Sequence, residues 1–176
     1  MKARKYTVAG VPDDSTAGAE SSTISGKRAL PALLPPTSEN RMTMPTAESK
    51  AISISILRSL RDAYDFMARP DSFARWASGL GKPLGNDGTV WLFEGEGGPV
   101  KIRFTEPNAY GVLDHYVELP DGGEIYVPMR VISNGAGVEV QFTLFRVPGM
   151  TDEKFAADAQ WVMRDLSKLK ELLEAA

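Results

Sequence analysis

The single histidine of this 176-residue chain, His115, stands directly beside Asp114 within Gly111–Leu119 (GVLDHYVEL). An imidazole next to a carboxylate is the pairing that general acid–base chemistry uses, because the ring titrates near neutral pH and the carboxylate can orient it. Few other residues offer comparable chemistry. The chain has no cysteine, which removes disulfides, thiol nucleophiles and thiolate metal sites. One histidine is too few for a multi-histidine zinc motif, so neither a metal nor a cofactor is expected. The stretches Gly79–Pro83 and Gly95–Gly98 resemble phosphate loops only in their glycines. A phosphate loop needs Gly-Lys-Ser/Thr leading into a helix, whereas Lys82 is followed by Pro83, so both read as turns.

Whether Asp114 and His115 can act together depends on the element beneath them. From Gly88 onward the apolar residues recur with period two, which predicts strands over 89–95, 100–106, 111–119, 124–132 and 138–147. Short Gly-, Pro- and Asn-rich connections make them an antiparallel meander. Adjacent strand residues point to opposite faces, so the pair is divided. His115 shares a face with Leu113, Val117 and Leu119 and is predicted to point inward; Asp114 shares the outer face with Tyr116 and Glu118. Matching apolar faces across the turns gives an inner row of Trp91, Ile102, His115, Met129 and Val140. The corresponding outer row is Arg103, Asp114, Arg130 and Glu139, a ladder of alternating charge. Pro128 interrupts this pattern, since proline cannot donate to an interior ladder and marks a bulge or an edge.

Asp114 is therefore expected to be structural, and His115 becomes the sole candidate catalytic residue. A buried imidazole must find a partner. A core histidine bonded to Tyr64 or to a backbone carbonyl meets that need, and so does contact with a ligand. With His115, the inward residues Trp91, Ile102, Phe104, Met129, Val140 and Phe142 would line a ligand cavity, together with Ala159 and Val162 from the last helix.

Upstream, Ala51–Ile56 alternates strictly and predicts the first strand. Ser59 then starts a helix that ends before Pro70, and Asp71 caps a second over 72–78, with Phe73 and Trp76 available for the core. The chain closes on a helix over 152–174 with Thr151 as its N-cap. Its apolar stripe is Phe155, Ala159, Val162, Leu166, Leu169 and Leu173. Ala156, Ala157 and Ala159 leave its first turns thin, so a void is expected nearer that end, with Trp161 at the rim.

Composition sets the outer bounds. With 43% hydrophobic and 24% charged residues, the chain supports one well-cored domain, 49–176. Residues 1–48, rich in Ser, Thr, Ala, Gly and Pro, read as a disordered tail, with a docking or lid role for Leu33 and Leu34 as the alternative. A net charge of −3 and no clustered Lys and Arg exclude a nucleic-acid footprint. No apolar run reaches the roughly 18 residues of a membrane span, and no secretory signal follows the basic start, which points to the cytoplasm.

The order strand, two small helices, meander and long helix resembles the START-like, polyketide-cyclase and birch-allergen superfamily, also called SRPBCC or helix-grip. The resemblance spans about residues 50 to 175. It rests on Tyr64–Pro70 (YDFMARP) with Trp76, on the closing helix from Phe155 to Leu173, and on Tyr110–His115, Val127–Val131 and Phe142–Phe145. It implies an α+β fold: a curved antiparallel sheet of about six strands wrapped around the C-terminal helix, with two short helices after the first strand. It also implies a cavity for a small hydrophobic or aromatic molecule, with His115 as polar anchor. A cyclase or dehydratase using His115 on a polyketide-like substrate, or a co-chaperone-like interaction module, are the alternatives the same resemblance leaves open.

Overall fold

Alternation in the first strand, β1 (Ser49–Ile56), sends Ile52 and Ile56 into the core and leaves the serines outside. The computed structural model describes residues 46–175 apart from Glu96 and Asp121; the predicted tail, through residue 45, lies outside the described residues. Ser59 then caps α1 (Leu60–Met67), its hydroxyl accepting from the Asp62 amide at 3.2 Å, and the helix buries Ala63 and Met67. The second helix, α2 (Pro70–Phe73), is shorter and earlier than predicted. Pro70 presets the first helical turn, and the Ser72 hydroxyl bonds back to the Arg69 carbonyl at 2.7 Å, so Ser72 lies inside the helix instead of opening it.

Seven strands follow: β2 (Pro83–Asn86), β3 (Val90–Phe93), β4 (Val100–Phe104), β5 (His115–Glu118), β6 (Glu124–Val127), β7 (Met129–Asn134) and β8 (Gly137–Phe145). All pairings are antiparallel, in two sheets ordered β2-β3-β4-β5-β6 and β1-β8-β7. The described strands thus number eight, against about six expected. Pro83–Asn86, partly read as a turn, pairs with β3, and the single strand expected over 124–132 breaks at Pro128. Having no N–H, Pro128 cannot continue the ladder. Its carbonyl instead accepts from Thr143 at 3.0 Å, and the chain changes partner from β5 to β8. A short seam rejoins the sheets, with the Leu113 amide on the Met129 carbonyl at 3.0 Å and the Val131 amide on the Gly111 carbonyl at 2.9 Å.

Registers also shift from those expected. Phe104, not Ile102, opposes His115; Ile125, not Val127, opposes Val117; Phe142, not Val140, opposes Met129. Each is a slip of two residues, which changes partners and preserves faces. For the β4–β5 pair the cause is a wide loop in place of a tight turn at Pro107 and Asn108. The Asn108 side chain organises it, accepting from the Tyr110 and Val112 amides at 3.0 and 3.1 Å and donating to the Val112 carbonyl at 2.9 Å.

The closing helix, α3 (Asp152–Glu174), begins as predicted at Thr151, whose hydroxyl accepts from the Lys154 amide at 3.2 Å. It lies along β1 with β8 beside it. Leu166, Leu169 and Leu173 are buried in its C-terminal half, and the Lys170 ammonium bonds the Ser55 carbonyl at 2.8 Å. Ala159 and Val162, nearer the N-terminus, stay partly accessible. No described helix is long and apolar enough to cross a membrane.

Candidate functional site

His115 opens β5 with its ring turned inward, between Phe104 and Val127 on the neighbouring strands. It is 4% exposed. The Phe73 ring meets it edge-on at 5.0 Å and the Phe104 ring lies at 5.6 Å. Its Nδ1 is 3.2 Å from the Leu113 carbonyl; a carbonyl only accepts, so this nitrogen carries the proton. Burial pushes the imidazole down to about 4, against a smaller upward pull from the Leu113 carbonyl and Asp114. The ring is neutral at neutral pH. Tyr64, one expected partner, instead accepts from the Asn108 amide at 2.8 Å.

Asp114 lies on the other face. Its carboxylate accepts from the Arg130 guanidinium, from the Tyr126 hydroxyl at 2.7 Å and from the Met129 amide at 2.9 Å. Burial alone would raise its pKa, and these donors more than offset that, leaving it below the usual carboxylate value. The rest of the expected charge ladder is different: Arg103 pairs with Glu124 at 3.1 Å and lies over the Tyr116 ring, while Glu139 accepts from the Ser55 hydroxyl at 2.6 Å. The two-residue slips account for these exchanges, and the Asp114–Arg130 pair survives because it forms across the seam. Asp114 and His115 are thus neighbours in sequence and not a catalytic dyad.

Among the expected lining residues, Ile102, Met129 and Val140 are fully buried like His115, whereas Trp91, Phe104, Phe142, Ala159 and Val162 remain partly accessible. The row Trp91–Ile102–Val117–Ile125 crosses β3 to β6 on the inner face. Ile102 is sealed, yet its three row-mates are not. Phe73 joins the aromatic lining, touching Trp76, Phe93 and Phe104 at ring distances of 4.7, 6.4 and 5.2 Å; Phe93 in turn stacks with Trp91 at 6.4 Å. Under the α1–α2 pair a void of about 10 Å³ is bounded by Phe73, Trp76, Phe104, Thr105, Leu113 and Asp114 among others.

Two features escaped the sequence reading. Phe73 was recognisable as a core residue, but its central place depends on a four-residue helix docking over β4 and β5. Asp158 is buried on the inner side of α3 and paired with Lys154; its spacing of three from Phe155 was the signal that could have placed it on that face.

Solved structures share this arrangement. The protein XoxI from Bacillus cereus superposes with a TM-score of 0.58 at 12% identity, covering 71% of this chain and 94% of its own. Ara h 8.0201 gives 0.57 at 9% identity, covering 74% and 100%. A START superfamily protein from Mycobacterium smegmatis gives 0.57 at 10%, covering 72% and 97%. The fold is the START-like helix-grip. No protein-family model matches the chain, and no curated protein does.

Proposed function

We propose that this protein binds a small hydrophobic or aromatic molecule between the five-stranded sheet and the N-terminal half of α3. The observation that carries this reading is the unequal burial of one inner row. Ile102 is completely enclosed while Trp91, Val117 and Ile125 beside it remain accessible, as do Phe142, Ala159 and Val162. Apolar side chains on an inward face are ordinarily covered, and leaving this surface wet is unfavourable at roughly 25 cal/mol per Å². A bound apolar molecule would recover that free energy. Trp91, Phe104, Phe142, Ala159 and Val162 act as the walls, and Ile102, His115, Met129 and Val140 as the floor behind them. His115, neutral and already bonded to Leu113, fits a positioning role in that floor better than proton transfer near neutral pH.

The test is a titration of ¹⁵N-labelled protein with naphthalene, followed by amide shifts. Saturable shifts clustered at Trp91, Val117, Ile125 and Val162, abolished in Val117→Trp, are expected. Shifts scattered over the surface, or none, would refute the binding reading.

A further inference from the structure

At one corner of the fold the two sheets come apart. β7 and β8 pair in a register that sets Met129 against Phe142, and the Thr143 amide carries the ladder one step further by donating to the Pro128 carbonyl at 3.0 Å. Continued, the same register sets Tyr126 of β6 against Phe145 of β8. Among the described residues no backbone bond joins them.

The alternation of the flanking ladders shows where their backbone groups point. The Leu119 amide donates to the Gly123 carbonyl at 2.7 Å, so the bonding positions between β5 and β6 recur at Ile125 and Val127, and the N–H and C=O of Tyr126 face away from β5. The Arg146 amide donates to the Glu48 carbonyl at 2.8 Å, so Phe145 likewise turns its N–H and C=O away from β1. Both sets face the space between β6 and β8. Buried backbone groups are almost always paired, so two such edges mark a place open to water.

The end of β8 is held from its far side, where the Arg146 guanidinium pairs with Glu48 at 2.8 Å and Asp152 at 2.6 Å and bonds the Met150 carbonyl at 3.0 Å. On the outer face the opening is spanned by the rings of Tyr126 and Phe145, 6.4 Å apart and 39% and 37% exposed. Its inner edges are Ile125 and Leu144, both apolar and both partly accessible. Ile125 ends the inner row from which the apolar-binding reading was drawn. Residues 77–82, by contrast, are closed by hydrogen bonds at both ends, from the Ser78 hydroxyl to Asp165 at 2.6 Å and from the Gly81 amide to the Glu94 carbonyl at 2.8 Å.

We propose that the apolar molecule enters and leaves this interior between β6 and β8, with Tyr126 and Phe145 as gateposts. This rests on the apolar-binding reading above and adds its route. Parting two paired strands would break ladder bonds, whereas widening this gap separates two rings and leaves every ladder intact.

A reversible staple tests the route. The chain has no cysteine, so Tyr126→Cys combined with Phe145→Cys gives the full-length protein one opposed thiol pair, and a disulfide between them draws the two strand ends together. Naphthalene is the probe. Added after oxidation, it should bind at least about tenfold more slowly than to the reduced protein. Loaded first and oxidised afterwards, it should stay with the protein through desalting and be released by reductant. Phe145→Ala should act in the opposite direction, speeding association and dissociation together with little change in affinity. Equal rates in the oxidised and reduced protein would place the route elsewhere and leave the apolar site standing. If neither wild type nor the reduced variant binds naphthalene, both readings fail together. Should the disulfide not form, Phe145→Ala decides alone, and wild-type rates in that variant would overturn the route.

Discussion

His115 shows how burial converts the most reactive-looking residue of a sequence into a determinant of acid stability. In the unfolded chain its imidazole titrates near 6.5, and in the folded protein near 4. Between those values the unfolded chain binds the extra proton, so unfolding becomes easier as pH falls. The contribution is fully present above pH 6.5 and lost by pH 4, about 3 kcal/mol in total by the conversion of a pKa difference to free energy. Urea unfolding at pH 7.5 and pH 4.5 should show this loss in wild type. In His115→Gln, which retains an N–H for the Leu113 carbonyl but cannot titrate, the loss should shrink by roughly that amount. Parallel decline in both proteins would assign the acid sensitivity to the carboxylates. Asp114, whose pKa is lowered by its donors, contributes in the same direction only at still lower pH.

At the scale of elements, the decisive feature is the seam where Gly111–Leu113 meets Met129–Val131. Gly111 has φ +69, and a Cβ there would fall on the Val131 carbonyl oxygen. Gly135, in the β7–β8 hairpin, also has positive φ, at +57, but an added Cβ meets nothing within 4 Å. Gly135→Ala should therefore cost only the left-handed strain, about 1 kcal/mol. Gly111→Ala must also separate two paired backbones and should cost about 3 kcal/mol or more in chemical denaturation. Equal costs would mean that the seam yields freely. This junction also marks the boundary of what the sequence disclosed. The caps at Ser59 and Thr151, the alternation of β1 and the stripe of α3 are local signals, and each element formed where its signal lay. Inward and outward faces were legible for the same reason, His115 included. Strand partners were not, because a period of two is unchanged by a slip of two residues. Pro128 announced a break without saying that it would divide the sheet. Among the candidate lining residues, nothing local separates the sealed Ile102 from the accessible Trp91, since that distinction depends on where α2 and α3 settle.

For the domain as a whole, the question is what holds helix and sheet together on each side of the grip. On the β1 side the ties are many: Arg146 bridges Glu48 at 2.8 Å and Asp152 at 2.6 Å, Lys50 lies over the Phe155 ring, and the Leu57 amide donates to Glu174 at 2.8 Å. Towards the five-stranded sheet, the segment 77–82 forms a strap. At one end the Ser78 hydroxyl donates to Asp165 at 2.6 Å and accepts from Trp161; at the other the Gly81 amide donates to the Glu94 carbonyl at 2.8 Å and Glu94 returns a bond to Lys82 at 3.0 Å. Burial raises the Asp165 carboxyl, and the Ser78 hydroxyl and amide only partly counter it. The folded protein then holds this proton more tightly than the unfolded chain, so this group favours folding at low pH and its contribution is lost as pH rises through the raised pKa, opposite in sign to His115. Ser78→Ala removes the hydroxyl through which the strap holds both Asp165 and Trp161. Each of these two hydrogen bonds is worth about 1 kcal/mol, so global stability should fall by no more than about 2 kcal/mol. Local opening of the strap should change by a comparable amount. The Leu80 and Gly81 amides should exchange up to about tenfold faster, with those around Leu169 unchanged. Uniform acceleration along α3 would place the strap within the cooperative core, and unchanged exchange would mean that the bonds to Glu94 hold it without help from Ser78. Local acceleration alone would make the strap the weakest boundary of the apolar interior, and binding of naphthalene to Ser78→Ala should then be faster with little change in affinity.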